Sequence, residues 1–319
     1  MPETETWELL GVQALFASER MRRLLELVRR VARTSEAVLV TGESGSGKEV
    51  IARAIHHFSL RSGRDWVDIN CAAIPEHLME SELFGYEKGA FSGALGSKPG
   101  LIELADKGTL FLDEIGELDG KLQAKLLRVL DHVPYYRVGG TRKVSADVRI
   151  IAATNQNLEQ MIRAGRFRHD LFHRLSGMEV RVPPLRERPE DIDALADQHL
   201  KRTYPGTILT EDARVRLRQY PWPGNIRELR HVLSRSALLI DDGRITAARL
   251  QLPSAQLPSA LGQTLDERPH NLDVLERQAI HRALEETGNH HGRAAGLLGI
   301  STKTLGRKLK AYGLETVGQ

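Results

Sequence analysis

One cysteine, Cys71, stands in the 319 residues, so intrachain disulfides and cysteine-based metal sites are excluded. Within Asn70-Cys71-Ala72-Ala73 that thiol reads as a small buried hydrophobe rather than a nucleophile. No apolar run approaches the roughly 18 residues of a membrane span, so no membrane partner is expected. The polar, acidic Met1–Glu8 does not read as a secretory leader, and a reducing cytoplasm fits all of this. A strong charge of one sign is also lacking: 45 basic against 42 acidic residues leave +3, so the local distribution matters more than the total. Aromatics make up only 5%, and one of them, Phe91, sits alone in Gly89-Ala90-Phe91-Ser92-Gly93-Ala94. By itself that hexapeptide reads equally as an ordinary glycine-rich turn or as a loop that presents Phe91 to something else.

What is present suits a soluble chain of two or three domains, at about 150 residues each. Residues 18–33 carry Met21, Leu24, Leu25, Leu27, Val28 and Val31 at helical spacing. Ala37-Val38-Leu39-Val40, Leu110-Phe111-Leu112 and Val148–Ala153 read as short buried strands separated by helical patterns. Such alternation implies an α/β fold with a parallel sheet covered on both faces. From about Asp191 to Leu250 the pattern turns wholly helical, as expected of a lid. Gln-Leu-Pro-Ser-Ala then occurs twice in succession, a linker composition, before helical periodicity resumes at Asn271.

Gly42-Glu43-Ser44-Gly45-Ser46-Gly47-Lys48 follows a strand and opens a helix, the context a phosphate-binding loop requires. Its backbone N–H groups and the helix dipole favour phosphate, and Lys48 would reach the terminal phosphates. Glu49 stands where the consensus wants a serine or threonine for magnesium. The strand ending in Asp113-Glu114 supplies the complementary carboxylates: Asp113 for Mg2+, held through water, and Glu114 to polarise an attacking water. The bland alternative is an acidic helix start. Asn155, at the tip of a third strand, could orient the same water.

Together these motifs resemble an AAA+ P-loop ATPase. The Gly-Glu-Ser-Gly-Ser-Gly-Lys-Glu loop, Glu82-Leu83-Phe84-Gly85 and the Gly89–Ala94 loop are similar to bacterial enhancer-binding proteins that activate sigma-54 RNA polymerase. The resemblance runs from about Leu10 to Leu314. It implies a short extension over 1–10, an AAA+ core over 11–185, a helical lid over 186–250, a linker over 251–270 and a DNA-binding domain over 271–319. It implies ATP and Mg2+ as ligands, with Gly42, Glu43, Ser44, Gly45, Ser46, Gly47, Lys48 and Glu49 around the nucleotide. Glu49 is usual in that family. Asn70 would restrain Glu114, and Arg168 and Arg174 would reach the neighbouring subunit's nucleotide, although spacing alone favours surface arginines. Arg227, in Trp222-Pro223-Gly224-Asn225-Ile226-Arg227, would touch nucleotide from the lid. Gly89, Ala90, Phe91, Ser92, Gly93 and Ala94 would contact the sigma-54 factor, Ser92 replacing the usual threonine, with residues 131–139 as a supporting second loop.

In the C-terminal segment, Leu272–Glu286, Gly292–Leu298 and a stretch from Ser301 to Tyr312 read as three helices, with Ser301 as a cap. Arg293, Lys303, Arg307, Lys308 and Lys310 are five cations with no acid between Gly288 and Tyr312. That surface suits a phosphate backbone, though a solvated basic helix would look the same. The layout resembles a helix-turn-helix of the factor-for-inversion-stimulation type, with Ser301, Thr302, Lys303, Thr304, Arg307 and Lys308 as candidate DNA contacts. Gly306 within the last helix costs about 1 kcal/mol relative to alanine.

The resemblance implies a sigma-54-dependent activator that binds enhancer DNA as a dimer, forms a hexamer-like ring and remodels the polymerase. So few residues precede the core that no receiver domain is expected. Control would then come from a separate regulatory protein, from expression level or from a domain lost by truncation. Two rivals stand beside it: another AAA+ remodeller, and a repressor that uses ATP only to oligomerise.

Overall fold

The computed structural model describes residues 5–240, 242–253, 280, 283, 284, 287, 290–298 and 300–311. The chain divides into two compact units, Met1–Ala255 and Gln256–Gln319. In the first, five parallel strands lie in the order β4 (Trp66–Asn70), β5 (Thr109–Asp113), β8 (Arg149–Thr154), β3 (Val38–Thr41), β9 (Met178–Arg181). Every residue of β8 is buried, as are Val38, Leu39 and Val40. A parallel sheet covered on both faces needs such unbroken apolar runs.

The period of two along each strand sends alternate residues to opposite sides. Leu39, Leu110, Leu112, Ile150 and Ala152 pack with α3 (Glu76–Phe84), α5 (Gly120–Leu130) and α7 (His169–Leu175). Val38, Val40, Phe111, Ile151 and Ala153 pack instead on α1 (Glu19–Ala32) and α2 (Lys48–His57). The expected helix over 18–33 forms with Ser18 as its cap, the hydroxyl accepting from the Met21 amide at 3.2 Å.

Two features lie outside the sequence reading. An antiparallel hairpin, β1 (Glu5–Leu9) with β2 (Val12–Phe16), crosses the boundary drawn after residue 10. It buries Leu9 and Phe16 and stands Trp7 edge-on to Phe58. The lid is also not wholly helical. Besides α8 (Pro189–Thr203), α9 (Glu211–Gln219) and α10 (Asn225–Leu238), it holds a two-residue parallel pair, Ile208–Leu209 with Arg244–Ile245. That pair inserts Leu209 and Ile245 into the lid's own core with Leu185, Trp222, Leu229 and Leu233, which helix periodicity could not reveal.

In the second unit, helices His291–Leu297 and Thr302–Ala311 form a helix-turn-helix. Leu305 and Leu309 pack against Ala294, Ala295 and the helical positions Ile280, Ala283 and Leu284. The rest of the expected helix Leu272–Glu286, the linker from 254 to 270, and Tyr312 lie outside the described residues.

Candidate nucleotide site and nucleic-acid interface

The sheet order puts β8 between β3 and β5, so the phosphate loop after β3 and the carboxylates after β5 are one strand removed from direct pairing. At about 4.8 Å per strand the two tips stand roughly 10 Å apart, a gap only a long side chain spans. Lys48 spans it. Its ammonium donates to the carbonyls of Gly42 at 3.1 Å and Glu43 at 3.4 Å, and lies 3.5 Å from Glu114 Oε1. Asn155 occupies the tip of the intervening strand, where its backbone N–H, rather than its side chain, donates to Glu114 Oε2 at 3.1 Å. Glu114 reaches both because its backbone is left-handed, at φ 53°.

The Asn70 side chain is placed on the carboxylate next to Glu114 rather than on Glu114 itself. Its amide donates to Asp113 Oδ2 at 3.2 Å. The reason is register: Asn70 sits opposite Asp113 in the parallel β4–β5 pair, while the left-handed turn carries Glu114 towards Lys48. Burial raises the Asp113 carboxyl above its ordinary range, and the adjacent Glu114 charge adds to the effect. Cys71, whose amide donates to the Asp113 carbonyl, is buried and its thiol is pushed up to about 12, chiefly by burial. It packs as a hydrophobe.

The loop is formed for close approach. Gly45 has φ +73°, and a Cβ there would lie 2.5 Å from the Gly224 carbonyl of the lid. Gly47, at φ 100°, caps α2 with no side chain in the way. Among the described residues the buried Ser46 Oγ has no hydrogen-bond partner. Glu49 turns along α2 to Arg53, at 2.7 Å, and leaves only its place in the first helical turn at the cleft. The cleft, about 350 Å³, is lined by Ser44, Gly45, Gly47, Lys48, Glu49, Asp113, Glu114 and, from the lid, Ile226, Arg227, Arg230 and His231. Arg227 donates to Ser44 Oγ at 3.0 Å.

The grip of lid on loop depends on residues the sequence reading gave no role. Asn225 is fully buried in the left-handed region at φ 52°, a position that costs a non-glycine residue energy and persists only where its surroundings enforce it. Its amide donates to Glu43 Oε2 at 3.1 Å and to the Ser44 carbonyl at 3.0 Å. Its side-chain Oδ1 accepts from the Leu185 backbone N–H at 2.7 Å. Arg186 meets Glu43 with two hydrogen bonds, at 2.8 and 2.6 Å, and these hold the Glu43 carboxyl below its ordinary range. Buried Arg188 donates to the Ser46 carbonyl and pairs at 3.5 Å with buried Asp191. Asp191 in turn accepts from the amides of Ala17 and Ser18. The signals available in the sequence were the density of arginines in Pro184-Leu185-Arg186-Glu187-Arg188 and, later in the chain, the Trp222-Pro223-Gly224-Asn225 turn.

Arg168 and Arg174 are not among the residues lining the cleft. Exposed Arg168 pairs with Asp170 at 2.7 Å and Arg174 with Asp131 at 3.1 Å. Arg174 borders a hollow with Ser35, Glu36 and Asp147, residues that precede β3 and β8, at the ends of those strands away from the phosphate loop.

Phe91 is 44% exposed, with its ring 5.0 Å from that of Tyr86. A short turn closes its loop, Gly89 N–H donating to Ala94 O and Ala94 N–H to Phe91 O. Residues 131–139 do brace the stem. Glu87 N–H donates to Val138 O, Val138 N–H donates to Gly85 O, and Arg137 pairs with both Glu87 and Glu103.

In the helix-turn-helix, Ser301 Oγ accepts from the Thr304 amide at 3.1 Å, the expected cap. Ser301, Thr302, Lys303, Gly306 and Arg307 are exposed. Lys308 is half-buried, and the Thr304 hydroxyl is engaged with that of Ser301 at 2.8 Å. A one-signed exposed edge of this kind positions on phosphates and leaves base selection to a few side chains.

Known proteins share this plan. Residues 14–181 match the Sigma-54 interaction domain, 186–264 the AAA+ ATPase lid domain and 271–312 the bacterial regulatory proteins of the Fis family. A Nif-specific regulatory protein of Enterobacter agglomerans is 44% identical over 93% of this chain and 59% of its own length. The response regulator protein PilR of Pseudomonas aeruginosa is 43% identical over 93% of this chain and 69% of its own. The crystal structure of NtrX from Brucella abortus in complex with ATP superposes at a TM-score of 0.69, with 38% identity, over 93% of this chain and 68% of that one. The chain spans 57–59% of the Nif-specific and nitrogen-fixation relatives it matches. With the domain model covering more than half its length, the chain belongs to the Sigma-54 interaction domain family.

Proposed function

We propose that this chain is a ring-forming ATPase that activates transcription by sigma-54 RNA polymerase, bound to DNA through its helix-turn-helix. One observation carries this reading: Lys48, Glu114 and the lid's Arg227 converge on one cleft, while Arg168 and Arg174 lie outside it. A cleft supplied with its own lysine and carboxylates but not with these arginines suits completion by a neighbouring subunit. The NtrX structures with ATP and ADP support the same ligands here.

The residues divide the chemistry. Lys48, 7% exposed, is held by two loop carbonyls and presents its charge to the terminal phosphates. Glu114 takes up the attacking water's proton, with the Asn155 N–H fixing one of its oxygens. Arg227 carries the nucleotide state to the lid through the Ser44 contact. The site fits a dication: Asp113 and Glu114 crowd two carboxylates beside a single lysine, and Asp113 is disfavoured as an anion there. Magnesium, when bound, supplies positive charge to the phosphate oxygens, and Asp113 would hold it through water. Arg168 and Arg174 would act on the adjacent subunit's γ-phosphate, an effect of about 10³–10⁵ in rate where such arginines have been measured. Phe91, braced from below by the 131–139 loop, would touch the sigma factor, and Lys303 and Arg307 would hold DNA.

The test is binding of the purified chain to sigma-54 factor in the presence of ADP–aluminium fluoride. A complex that Phe91→Ala abolishes is expected. An assembled ring without a complex overturns the reading. Glu114→Gln should still bind ATP while turnover falls by about 10²–10⁴, the range of a lost general base.

A further inference from the structure

The helix α7 carries two histidines, His169 and His173, that no part of the ATPase reading uses. They stand four residues apart on one exposed face, with their Nε2 atoms 3.0 Å from each other. The rings are nearly perpendicular, at 80°, with centroids 4.2 Å apart. Beside them opens a hollow bordered by Glu159, Ile162, Arg163 and Phe172.

We propose that His169 and His173 form a two-point chelate for a divalent metal of square-planar preference, Cu2+ or Ni2+. Metal–imidazole bonds are about 2.0–2.1 Å long. Two nitrogens 3.0 Å apart then subtend roughly 94° at a shared ion, by that bond length. That bite matches the right angle of tetragonal Cu2+ and Ni2+ sites and falls short of the tetrahedral angle zinc takes. An ion bound to both Nε2 atoms sits off the line between them, so each ring turns its lone pair towards it and the proton of the donating ring moves to Nδ1 through water. Among the described residues no third histidine, cysteine, aspartate or glutamate joins them, so water fills the remaining positions. The hollow beside the pair gives those waters room. Repulsion from flanking cations is tempered, because Arg168 is paired with Asp170 and Arg174 with Asp131.

The site has a consequence that rests on the ATPase reading. The two ligands lie between Arg168 and Arg174, so an ion ties the first turn of α7 to its last and restricts the segment that would carry both arginines to a neighbouring nucleotide. Occupancy therefore slows trans-activated ATP turnover.

Tag-free chain titrated with CuCl2 and NiCl2, followed by calorimetry and by electron paramagnetic resonance for Cu2+, tests the site directly. One equivalent bound through nitrogen is expected. His169→Gln or His173→Gln should weaken it by about 10–100-fold, the scale known even for loss of a ligand's outer partner. The double variant should lose it, with thermal melting confirming that these exposed changes leave the fold intact. Unchanged binding in the double variant overturns the proposal. ATP turnover with and without Cu2+ is read separately. Slowing in the wild type but not the double variant supports the link to the arginines. Binding without slowing overturns that link while the site stands, and a chain that never hydrolyses ATP overturns the ATPase reading alone.

Discussion

Two glycine-rich loops, Gly42–Lys48 and Gly89–Ala94, look alike in composition and are held by opposite physics. In the first, glycine is required by contact: a Cβ on Gly42 would lie 2.8 Å from the Val182 carbonyl, and one on Gly45 2.5 Å from Gly224. In the second, Gly89 and Gly93 have positive φ, yet a Cβ on either would meet nothing within 4 Å. The phosphate loop is clasped by Asn225, Arg186 and Arg188, whereas the other is held by its own turn, the Phe91–Tyr86 ring contact and the close approach of Ala90 to Gly139. Glycine in one loop permits other atoms to come close. In the other it only permits a bend, leaving Phe91 outward. One loop is a fixed seat for a ligand and the other a presented tip.

Four substitutions test that contrast, in order of falling effect. Gly45→Ala combines overpacking, about 1–3 kcal/mol, with a left-handed alanine at about 1–2 kcal/mol. It should displace the lid, lower the melting temperature clearly and abolish nucleotide binding by fluorescence titration. Gly89→Ala carries only the backbone cost of roughly 1–2 kcal/mol, which a surface loop relaxes locally. Its melting temperature should stay near that of the wild type, and an equal loss in both variants would erase the distinction.

Arg186→Ala comes third, because an exposed pair contributes about 0–1 kcal/mol. Its signature lies in pH. The Glu43 carboxyl is held below its ordinary 4.5 in the folded chain, first by the Arg186 hydrogen bonds. The contribution is therefore complete above pH 4.5 and lost as pH falls through the lower, folded value. Melting curves from pH 7 to pH 3.5 should show a shallower acid decline in the variant than in the wild type. Phe91→Ala should change stability least, within about 0.5 kcal/mol as for surface positions generally. ATP turnover should be intact while sigma-54 binding is lost. A large drop in melting temperature would show that Phe91 is core, contrary to its 44% exposure.

Much of the plan was legible because it is local. Val38–Thr41, Thr109–Asp113 and Arg149–Thr154 are buried on both faces, so their apolar runs show directly in the sequence. Ser301 sits at a helix start where a hydroxyl can satisfy a free amide, and it does so. The pairing of Ile208–Leu209 with Arg244–Ile245 was not legible, since two-residue strands carry no periodicity. Nor was the hairpin at Glu5–Phe16, whose alternate residues face solvent and whose polar content suggested an extension.

The sequence by itself determined the chemical inventory: a lysine after a glycine-rich loop, two carboxylates after a strand, an aromatic between glycines and a basic final helix. Spacing along the chain sufficed there, because each motif is one strand end or one helix start. Only the tertiary structure decided the partners. Strand register gave Asn70 to Asp113, a left-handed backbone turned Glu114 to Lys48 and to the Asn155 amide, and the lid brought Asn225, Arg186 and Arg188 across well over a hundred residues onto the loop. Hydrogen bonds between side chains so distant depend on where sheets and helices stop, and no local pattern records that.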